Sequence, residues 1–550
     1  MKKLIVTALV SLLVAAFTPL GRTDASVLML VRVHAESAED AAYLMGNFDE
    51  THNHGPNEIE LLLWPGDLAE LDALGLDYEI VVEDVVARDR ALEAASDDVV
   101  VEQPGPDRTD YRRLADYNAE LQDLADKNKS FVELFEMKRP SLEGRTVYGV
   151  EIAANVKSKN DGRPIFYLDA LHHAREWPAA EFTMIYAHYL AEKFGKDPVV
   201  TRLLKNARII IVPIVNVDGF DYSRESVTSL HPTVASATSP LGAANGFEGY
   251  WRKNRRSLTG ATVPVAQKNP DAYGVDPNRN YSYEWGDNQG GSSGNQLSAT
   301  YRGEAPFSEP EVQNVRDIVL GRNVTGVITN HTYQSTVLRA GGGKSPEDAI
   351  LKAVGQEMAD VLGYQNNGTV GYPTTGTTDD WAYAVTGAIG FTIEHGTQGF
   401  HPPYGSFVAE HHDEVSKAFT VMFEAAANPR YHSVLTGRVH GGPAKLTLTK
   451  TMHVPLSEGN PIGEEFVVEK VKYTIETDKS GRFEWHVGPS TSPWSKKKAS
   501  YTLTVTGGGA SLKMPVTIDR GERLDLGSLH LAMAAKKAPT KEPHAHEHDH

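Results

Sequence analysis

The chain has 550 residues, of which 40% are hydrophobic and 23% are charged. This balance is typical of globular proteins and excludes a wholly disordered or fibrous chain. The formal net charge is −18, which argues against nucleic-acid binding, because non-specific binding depends on Lys and Arg neutralising phosphates. There are no cysteines, so disulfides, thiol catalysis and cysteine zinc sites are excluded.

The first 25 residues have the pattern of a secretory signal peptide. Lys2 and Lys3 precede an apolar run over 4–17, and small residues before Ser26 suit a cleavage site. The run is short for a membrane span, although an uncleaved anchor is the alternative interpretation. No later stretch approaches the roughly 20 apolar residues that a membrane helix needs. The pattern therefore predicts a secreted protein, extracellular or periplasmic, without a membrane span.

Residues 26–90 predict a small α+β domain, because strands and helices alternate in a way that suits helices packed on one sheet. The expected order is β-α-β-α-β, with strands at 27–35, 58–64 and 78–82 and helices at 38–48 and 68–76. Residues 91–107 are acidic and then contain Pro and Gly, which indicates a linker.

Residues 108–428 predict an α/β domain with a central mixed sheet flanked by helices. Several strand candidates are continuous apolar runs, as expected for strands covered on both faces. The predicted strands lie at 147–153, 164–170, 207–213, 326–330 and 388–394, and the predicted helices at 111–127, 177–193, 309–320, 346–362 and 412–427. Residues 226–248 are rich in small and polar residues and predict a long surface loop.

After residue 428 the pattern changes to the period-2 alternation that is typical of strands. Residues 433–532 predict a small β-sandwich. The end of the chain, 533–550, has no apolar periodicity and is expected to be disordered. This tail is either a weak binder of metal ions or a solvated end, and its alternating histidines are His544, His546, His548 and His550.

The sharpest local signal is the segment 171–177, which has the sequence LHHAREW and directly follows an apolar strand. A His and a Glu three residues apart can point to one spot there, and a catalytic zinc accepts imidazole and carboxylate ligands. His331 ends another apolar strand and is the candidate third ligand, because open α/β sheets place their sites at the carboxyl edge. Taken alone this signal is weak: His172 could be an ordinary buried histidine, and His331 could be a polar cap.

Further motifs follow in one order along the chain. They are WRKNR at 251–255, GVDPNRN at 274–280, Tyr372 and Glu394. Together with the HAREW and NHTYQ segments, they resemble the zinc metallocarboxypeptidases of the carboxypeptidase A/B family over roughly residues 108–428. The resemblance implies that His173, Glu176 and His331 hold one Zn²⁺ per chain, and that the substrates are the C-termini of peptides or proteins.

The resemblance also implies catalytic roles. Glu394 would take the proton of a zinc-activated water and pass it to the leaving amine, and its apolar strand is expected to raise its pKa. Arg252 would stabilise the developing oxyanion, whereas a neighbour such as Lys253 is expected to be a solvated surface charge. Asp276 resembles the carboxylate that orients a ligand histidine.

Substrate recognition is implied in the same way. Arg279 would grip the terminal carboxylate with hydrogen bonds added by Asn278 and Tyr372, which would make the enzyme an exopeptidase. Arg175 and Tyr333 resemble residues of the adjoining subsite, although either could be structural.

Asp379 lies at the position that, in the resemblance, forms the floor of the pocket for the terminal side chain. A buried unpaired Asp is unfavourable, so a Lys or Arg side chain is its natural partner. We therefore expect a preference for basic residues with tolerance of large apolar ones. Arg339 complicates this expectation, because a contact between Arg339 and Asp379 would make the pocket neutral or even suited to acidic residues.

The flanking regions also resemble known modules. Residues 26–90 resemble the family's inhibitory pro-domain, which would cover the cleft until the linker is cut; a permanent N-terminal module is the alternative. The predicted sandwich resembles transthyretin-like or carboxypeptidase-regulatory-like modules. Two other classes of function remain open, namely a related zinc hydrolase of cell-wall peptides or amidated amino acids, and an inactive carboxypeptidase-like binding protein.

Overall fold

A computed structural model describes most of the chain. The described residues are 27–55, 57–96, 108, 110–228, 247–256, 274–286, 291–296, 298–369, 374–457, 466–490 and 500–533. Several predicted features lie outside these residues: the signal peptide over 1–25, most of the 91–107 linker, most of the 226–248 loop, Tyr372, and the tail beyond Met533. Among the described residues, no helix is both long and apolar enough to cross a membrane.

The N-terminal region is a four-stranded antiparallel sheet with three helices. Its elements are β1 (Met29–His34), α1 (Ala38–Asn47), β2 (Asp49–Gly55), β3 (Glu58–Leu63), α2 (Leu68–Leu74), β4 (Asp77–Val82) and α3 (Val85–Ser96). The strand order is β2-β3-β1-β4. Alternate apolar side chains of β1 and β3, such as Val31 and Leu61, form a core with Leu44 of α1 and Leu71 of α2.

Two features of this region differ from the predictions. Strand β2 was not predicted, because its sequence DETHNHG is polar and lacks apolar alternation; its pairing with β3 makes it a strand. The predicted linker also begins too early, since helix α3 continues through residues 91–96.

The central region contains a mixed sheet, as predicted, and this sheet has eight strands. Its strands are β5 (Val132–Glu136), β6 (Tyr148–Ile152), β7 (Ile165–Ala170), β8 (Arg208–Val212), β9 (Val324–His331), β10 (Thr336–Arg339), β11 (Gln365–Asn367) and β12 (Ile389–Glu394). Their order is β11-β10-β12-β9-β7-β8-β6-β5, and β12, β9, β7 and β8 pair in parallel. The five predicted strands are confirmed to within two residues. Strands β10 and β11 were missed because they are short, and β5 is partly exposed and lacks a continuous apolar run.

Helices flank this sheet, which confirms the predicted α/β fold class. They are α4 (Leu114–Lys127), α5 (Trp177–Lys193), α6 (Pro198–Asn206), α7 (Val217–Thr228), α8 (Pro310–Gly321), α9 (Asp348–Leu362), α10 (Thr378–Thr386) and α11 (Glu410–Ala427). The bounds of α5 agree with the predicted ones, because Pro178 suits the first turn and Lys193 the last. The three helices that were missed, α6, α7 and α10, are short or rich in polar residues.

The strand register determines which residues share the carboxyl edge of the sheet. Strand β12 pairs in parallel with β9 so that Glu394 lies opposite His331. Strand β9 pairs in parallel with β7 so that Asn330 lies opposite Ala170. The three strands therefore end side by side, at the edge where open α/β sheets bind their ligands.

The C-terminal region, residues 433–533, consists of two further sheets, as expected for the predicted sandwich. Its strands are β13 (Ser433–Val439), β14 (Lys445–Pro455), β15 (Phe466–Glu476), β16 (Arg482–Val487), β17 (Tyr501–Gly507), β18 (Ala510–Val516), β19 (Arg523–Leu529) and β20 (Ala532–Met533). The sheet orders are β16-β13-β19 and β15-β14-β17-β18-β20. Buried residues of these C-terminal sheets, such as Leu435 and Leu448, belong to the same apolar core as the central region.

Candidate metal centre and active-site cleft

Three buried side chains converge at the carboxyl edge of the central sheet. Strand β7 ends at Ala170, and Leu171 has a left-handed backbone conformation (φ 54°) that turns the chain before α5. His173 and Glu176 lie in this turn, and His331 is the last residue of β9. His173, Glu176 and His331 are 4%, 2% and 0% exposed, respectively, so the surrounding packing holds their side chains in place.

The polar atoms of these three residues face one another. Nδ1 of His173 lies 2.7 Å from Glu176 Oε1, and Nδ1 of His331 lies 2.8 Å from Glu176 Oε2. The two Nδ1 atoms are 3.1 Å apart, and one ligand atom from each residue lies within 4.8 Å of the others. Two imidazoles and a carboxylate form the protein ligand set of several catalytic zinc sites. The three residues therefore fit a single divalent metal ion.

Electrostatics favour the protonation states that a metal ion requires. Burial lowers the pKa of His331, which keeps its imidazole neutral. Burial alone would raise the pKa of Glu176, but the adjacent imidazoles of His173 and His331 lower it well below its usual value. A neutral imidazole and an ionised carboxylate are the forms that bind Zn²⁺.

Asp276 contacts His173 on the side of the ring away from Glu176. Its Oδ1 lies 3.1 Å from His173 Nε2, and its Oδ2 accepts a hydrogen bond of 2.9 Å from Arg252 Nη2. Burial works to raise the pKa of Asp276, yet Arg252 and His173 lower it well below its usual value. An ionised carboxylate here favours the tautomer in which Nε2 carries the proton and Nδ1 presents its lone pair to a metal.

His172 does not belong to this group. It is completely buried, and its Nε2 lies 2.8 Å from the Tyr281 hydroxyl and 3.0 Å from the Thr378 hydroxyl. Burial lowers the pKa of His172 well below 6.5, so the ring is neutral. These are the properties of an ordinary buried histidine, the alternative that the sequence left open.

A cleft of about 300 Å³ opens beside the metal centre. His173 and Glu176 line it, and the other predicted site residues in its wall are Arg252, Asn278, Arg279, Tyr333, Asp379 and Glu394. His331 and Asp276 are completely buried next to His173. The structure thus brings together in one place residues that are widely separated along the chain.

Arg279 is a buried cation within this wall. It is 4% exposed, and its guanidinium donates to the backbone carbonyls of Gly291 and Asn278. Within the described residues, it forms no ion pair. The Asn278 side chain is held in turn, because its Oδ1 accepts hydrogen bonds from the backbone amide and the hydroxyl of Thr378, both 3.0 Å long. A buried guanidinium whose partners in the described part of the chain are backbone carbonyls is suited to an anionic ligand.

Glu394 lies beside the metal centre without belonging to it. It is the last residue of β12, it is half-buried, and it lines the cleft. Its register partner on β9 is His331. Among the described residues, the group that could hold a metal ion comprises His173, Glu176 and His331 only. Glu394 therefore lines the same cleft as His173 and Glu176 but lies outside the group of candidate metal ligands.

Asp379 and Asp380, in the first turn of α10, both line the cleft. Burial raises the pKa of both carboxyls, and Asp379 raises that of Asp380 further. Arg339 lines the same cleft, but its Nε donates to Asp348 at 2.6 Å rather than to Asp379. In the described part of the chain, Asp379 has no cationic partner.

The prediction for Lys253 was wrong. Its side chain is completely buried, and Nζ donates to the backbone carbonyls of Ser298 at 2.7 Å and Gln296 at 3.3 Å. Those carbonyls belong to a segment more than 40 residues away, so the local WRKNR pattern carries no sign of them. Sequence reasoning also missed Glu284, which lines the cleft near Asp380.

The Arg175 side chain contacts the N-terminal region and is not among the residues that line the cleft. Its Nη2 donates to Asp49 Oδ1 at 2.8 Å, its Nη1 contacts the other carboxylate oxygen, and its guanidinium lies 4.1 Å from the Phe400 ring centre. Tyr333 packs on the same Phe400 ring. Thr51, two residues after Asp49 on β2, lines the cleft itself. Strand β2 therefore covers part of the cleft.

A buried two-histidine, one-carboxylate site at the carboxyl edge of a mixed sheet, beside a cleft with a further carboxylate, defines a metal-dependent hydrolase. The model of the zinc carboxypeptidase family matches residues 117–416, just over half of the chain. The chain therefore belongs to the zinc carboxypeptidase family. It is a metallocarboxypeptidase, and the family uses one Zn²⁺, which the group of His173, Glu176 and His331 could hold.

Individual relatives agree with this assignment. Carboxypeptidase A1 of Rattus norvegicus is 26% identical over 386 residues, which cover 66% of this chain and 82% of the relative. Carboxypeptidase B of Homo sapiens is 25% identical over 332 residues, which cover 58% and 70%. Among solved structures, carboxypeptidase A from Helicoverpa armigera has a TM-score of 0.58 at 23% identity over 73% of this chain and 98% of its own. Thrombin activatable fibrinolysis inhibitor has a TM-score of 0.56 at 20% identity, with the same coverage. These two structures support the fold.

Proposed function

We propose that this metallocarboxypeptidase is secreted and removes Lys and Arg, and less efficiently large apolar residues, from the C-termini of peptides or proteins. The observation that supports the specificity is the presence, in one cleft, of buried Arg279 without a carboxylate partner and buried Asp379 without a cationic partner among the described residues. A C-terminal Lys or Arg residue carries both missing charges. Secretion is supported by the signal-like pattern of residues 1–25.

The roles of the reacting residues follow from their positions. A Zn²⁺ bound by His173, Glu176 and His331 would supply Lewis-acid polarisation of the scissile carbonyl and would acidify a water molecule. Glu394 takes the proton of the attacking water and transfers it to the leaving amine. Arg252, which lines the cleft, donates to the carbonyl oxygen as negative charge develops.

The substrate is held at its C-terminal end. Arg279 binds the terminal carboxylate through its guanidinium, with Asn278 and Tyr372 as further hydrogen-bond donors. Asp379 receives the cationic side chain. Arg175 and Tyr333 contribute to the neighbouring subsite once strand β2 no longer covers them.

We expect the zinc-loaded protein to cleave blocked dipeptides ending in Arg faster than those ending in Phe, and those ending in Glu most slowly. Asp379→Ile should invert the preference between Arg and Phe, because breaking a buried ion pair costs roughly 3–5 kcal/mol, or about 10²- to 10⁴-fold in the ratio of kcat/KM values. Steady-state kinetics with the three substrates measures this ratio.

The matched control for this test is Asp360→Asn, which changes an exposed acid on α9. Its substrate preference should be that of the unaltered protein. An amidated Arg substrate tests the role of the terminal carboxylate and should resist cleavage. Faster cleavage of the Glu substrate would contradict the proposed specificity, and cleavage of the amide would favour a related zinc hydrolase instead of an exopeptidase.

We also propose that residues 26–90 form an inhibitory pro-domain, followed by the 91–107 linker, a 108–428 catalytic domain and a 433–532 transthyretin-like domain. Inhibition is supported by contacts that the N-terminal region makes around the cleft. Asp49 engages Arg175, Thr51 lines the cleft, and Asp89 accepts a hydrogen bond from the Tyr250 hydroxyl. A peptide could not reach Arg175 while this surface is covered.

Asp49→Ala is expected to raise the activity of the intact, uncleaved chain by about 10-fold or more, because it removes a buried ion pair that holds β2 over the cleft. Cleavage within 91–107 should raise the activity of the unaltered protein in the same way. The measurement is the rate of hydrolysis before and after limited proteolysis. The control variant Asp77→Ala, on the exposed part of β4, should behave like the unaltered protein. Equal rates before and after cleavage would instead indicate a permanent N-terminal module.

A further inference from the structure

The buried carboxylate of Glu469, a residue of the C-terminal sheets, contacts the central region. Glu469, on β15, is 4% exposed and lies on the face of this strand that also buries Val471, Tyr473 and Ile475. Its Oε1 and Oε2 accept hydrogen bonds of 3.0 and 3.2 Å from Trp381 Nε1. The hydroxyl of Ser282 also donates to Oε1. One side chain of the C-terminal sheets therefore binds two separate segments of the central region.

Both of those segments continue directly into the cleft wall. Trp381 follows Asp379 and Asp380 in the first turn of α10. Ser282 lies three residues after Arg279, the residue proposed to bind the terminal carboxylate. The two segments also touch each other, since the ring of Trp381 packs 5.2 Å from that of Tyr281.

The backbone of the second segment is attached to the C-terminal sheets as well. The amide of Glu284 donates to the carbonyl of Pro455 at 3.0 Å, and the amide of Gly286 donates to that of Leu456 at 2.8 Å. Pro455 is the last residue of β14. Glu284 lines the cleft, so this attachment places one wall of the cleft directly on the end of a strand.

The chemistry of Glu469 indicates that it orients Trp381 and Ser282 rather than simply stabilising the interface between the C-terminal sheets and the central region. Its two hydrogen-bond donors are uncharged, and burial raises the pKa of the Glu469 carboxyl to about 7. A buried carboxylate with uncharged partners stabilises an interface less than an apolar side chain of similar size. Its hydrogen bonds are directional, however, and they fix the Trp381 indole and the Ser282 hydroxyl in one geometry.

We propose that Glu469 is a positioning residue for the pocket that receives the C-terminal side chain, so that the C-terminal sheets help to determine the specificity of the enzyme. It acts through Trp381 on Asp379 and Asp380, and through Ser282 on the segment between Arg279 and Glu284. This inference rests on the proposed function of the cleft.

The test compares Glu469→Leu and Glu469→Gln in the full chain, activated by limited proteolysis if the intact chain is inactive. Leu removes both acceptors, whereas Gln keeps one acceptor oxygen. We expect Glu469→Leu to raise KM for the Arg-terminated dipeptide about 10-fold, the effect of losing one or two such hydrogen bonds, with kcat changed less than about 3-fold. The Arg-over-Phe ratio of kcat/KM should fall by a similar factor, and Glu469→Gln should restore both values to within about 3-fold of the unaltered protein.

Two control variants separate positioning from stability. Glu476→Gln changes an exposed carboxylate on the same strand. Asn323→Ala removes hydrogen bonds to the carbonyls of His486, on β16 of the C-terminal sheets, and of Arg163. Asn323 directly precedes β9, at the opposite end of that strand from the cleft. Both controls should leave KM and the Arg-over-Phe ratio unchanged, even if Asn323→Ala lowers the thermal unfolding temperature. Ser282→Ala, a smaller change, should raise KM about 3-fold and decides the question if Glu469→Leu does not fold.

A failure of the proposed role of Glu469 can be distinguished from a failure of the proposed function. No hydrolysis by the unaltered, zinc-loaded and proteolysed protein would contradict the proposed function itself. Calorimetric binding of free L-arginine, which requires no turnover, should weaken in Glu469→Leu and Ser282→Ala along with the rise in KM. Unchanged KM, ratio and arginine affinity in folded variants of an active enzyme would overturn the role of Glu469. A fall in kcat alone would also overturn it, because it would place the effect at the reacting residues.

Discussion

Replacement of His331 by Ala should reduce kcat/KM by roughly 10⁴-fold or more, as is typical when an essential catalytic group is removed, and should lower the zinc content from one ion per chain towards zero. The physical reason is the small number of ligands. His173, Glu176 and His331 supply one ligand atom each, and these atoms lie within 4.8 Å of one another. Two remaining ligands cannot hold Zn²⁺ against dilution, because catalytic sites use three protein ligands.

Metal analysis together with kinetics measures this effect. Chelation of the unaltered protein should produce the same loss, and added Zn²⁺ should restore activity to the unaltered protein but not to His331→Ala. His440→Ala, which changes an exposed histidine of the C-terminal sheets, is the control and should keep both zinc and activity. Full zinc content in His331→Ala would show that the ion is bound elsewhere.

Replacement of Glu394 by Gln has the second largest expected effect, and its pattern is different. We expect kcat to fall by about 10³-fold, within the range for loss of a general acid–base group, while the zinc content stays at one ion per chain. Glu394 lines the cleft beside His331 but lies outside the group that could hold the metal. The amide of Gln occupies the same volume but cannot accept a proton from water.

The measurement is kcat at several pH values together with the zinc content of the same preparation. Glu357→Gln, on the exposed face of α9, controls for the loss of one negative charge. Loss of zinc in Glu394→Gln would mean that this carboxylate is a ligand. Retention of full activity would remove it from the mechanism, and the proton would then have to pass to another group in the cleft.

The elements that carry this site were largely predictable, because their signals are local. The apolar run that precedes His172 forms β7, and Pro178 with the following apolar residues specifies the start of α5. The turn that carries His173 and Glu176 was therefore correctly placed between them. His331 and Glu394 end two further apolar strands, and both were predicted there. A parallel sheet then brings strand ends to one edge.

Features that depend on distant partners were not predictable. Strand β2 is polar, and only its pairing with β3 makes it a strand; its position then places Asp49 against Arg175. Lys253 can be buried because its ammonium group donates to the backbone carbonyls of Gln296 and Ser298. The sequence left the partner of Arg339 open, and the fold places Asp348 within 2.6 Å of it.

The fold class, the family resemblance and the candidate metal ligands can be predicted from the sequence alone, since periodicity and motif spacing are properties of short segments. The tertiary structure is needed to show which charged groups lie in contact. It leaves Asp379 without a cation among the described residues, turns Arg175 towards the N-terminal region, and brings Glu469 to Trp381. The reason is physical: a hydrogen bond or ion pair depends on distances of a few ångströms between segments far apart in the chain, and no local pattern encodes those distances.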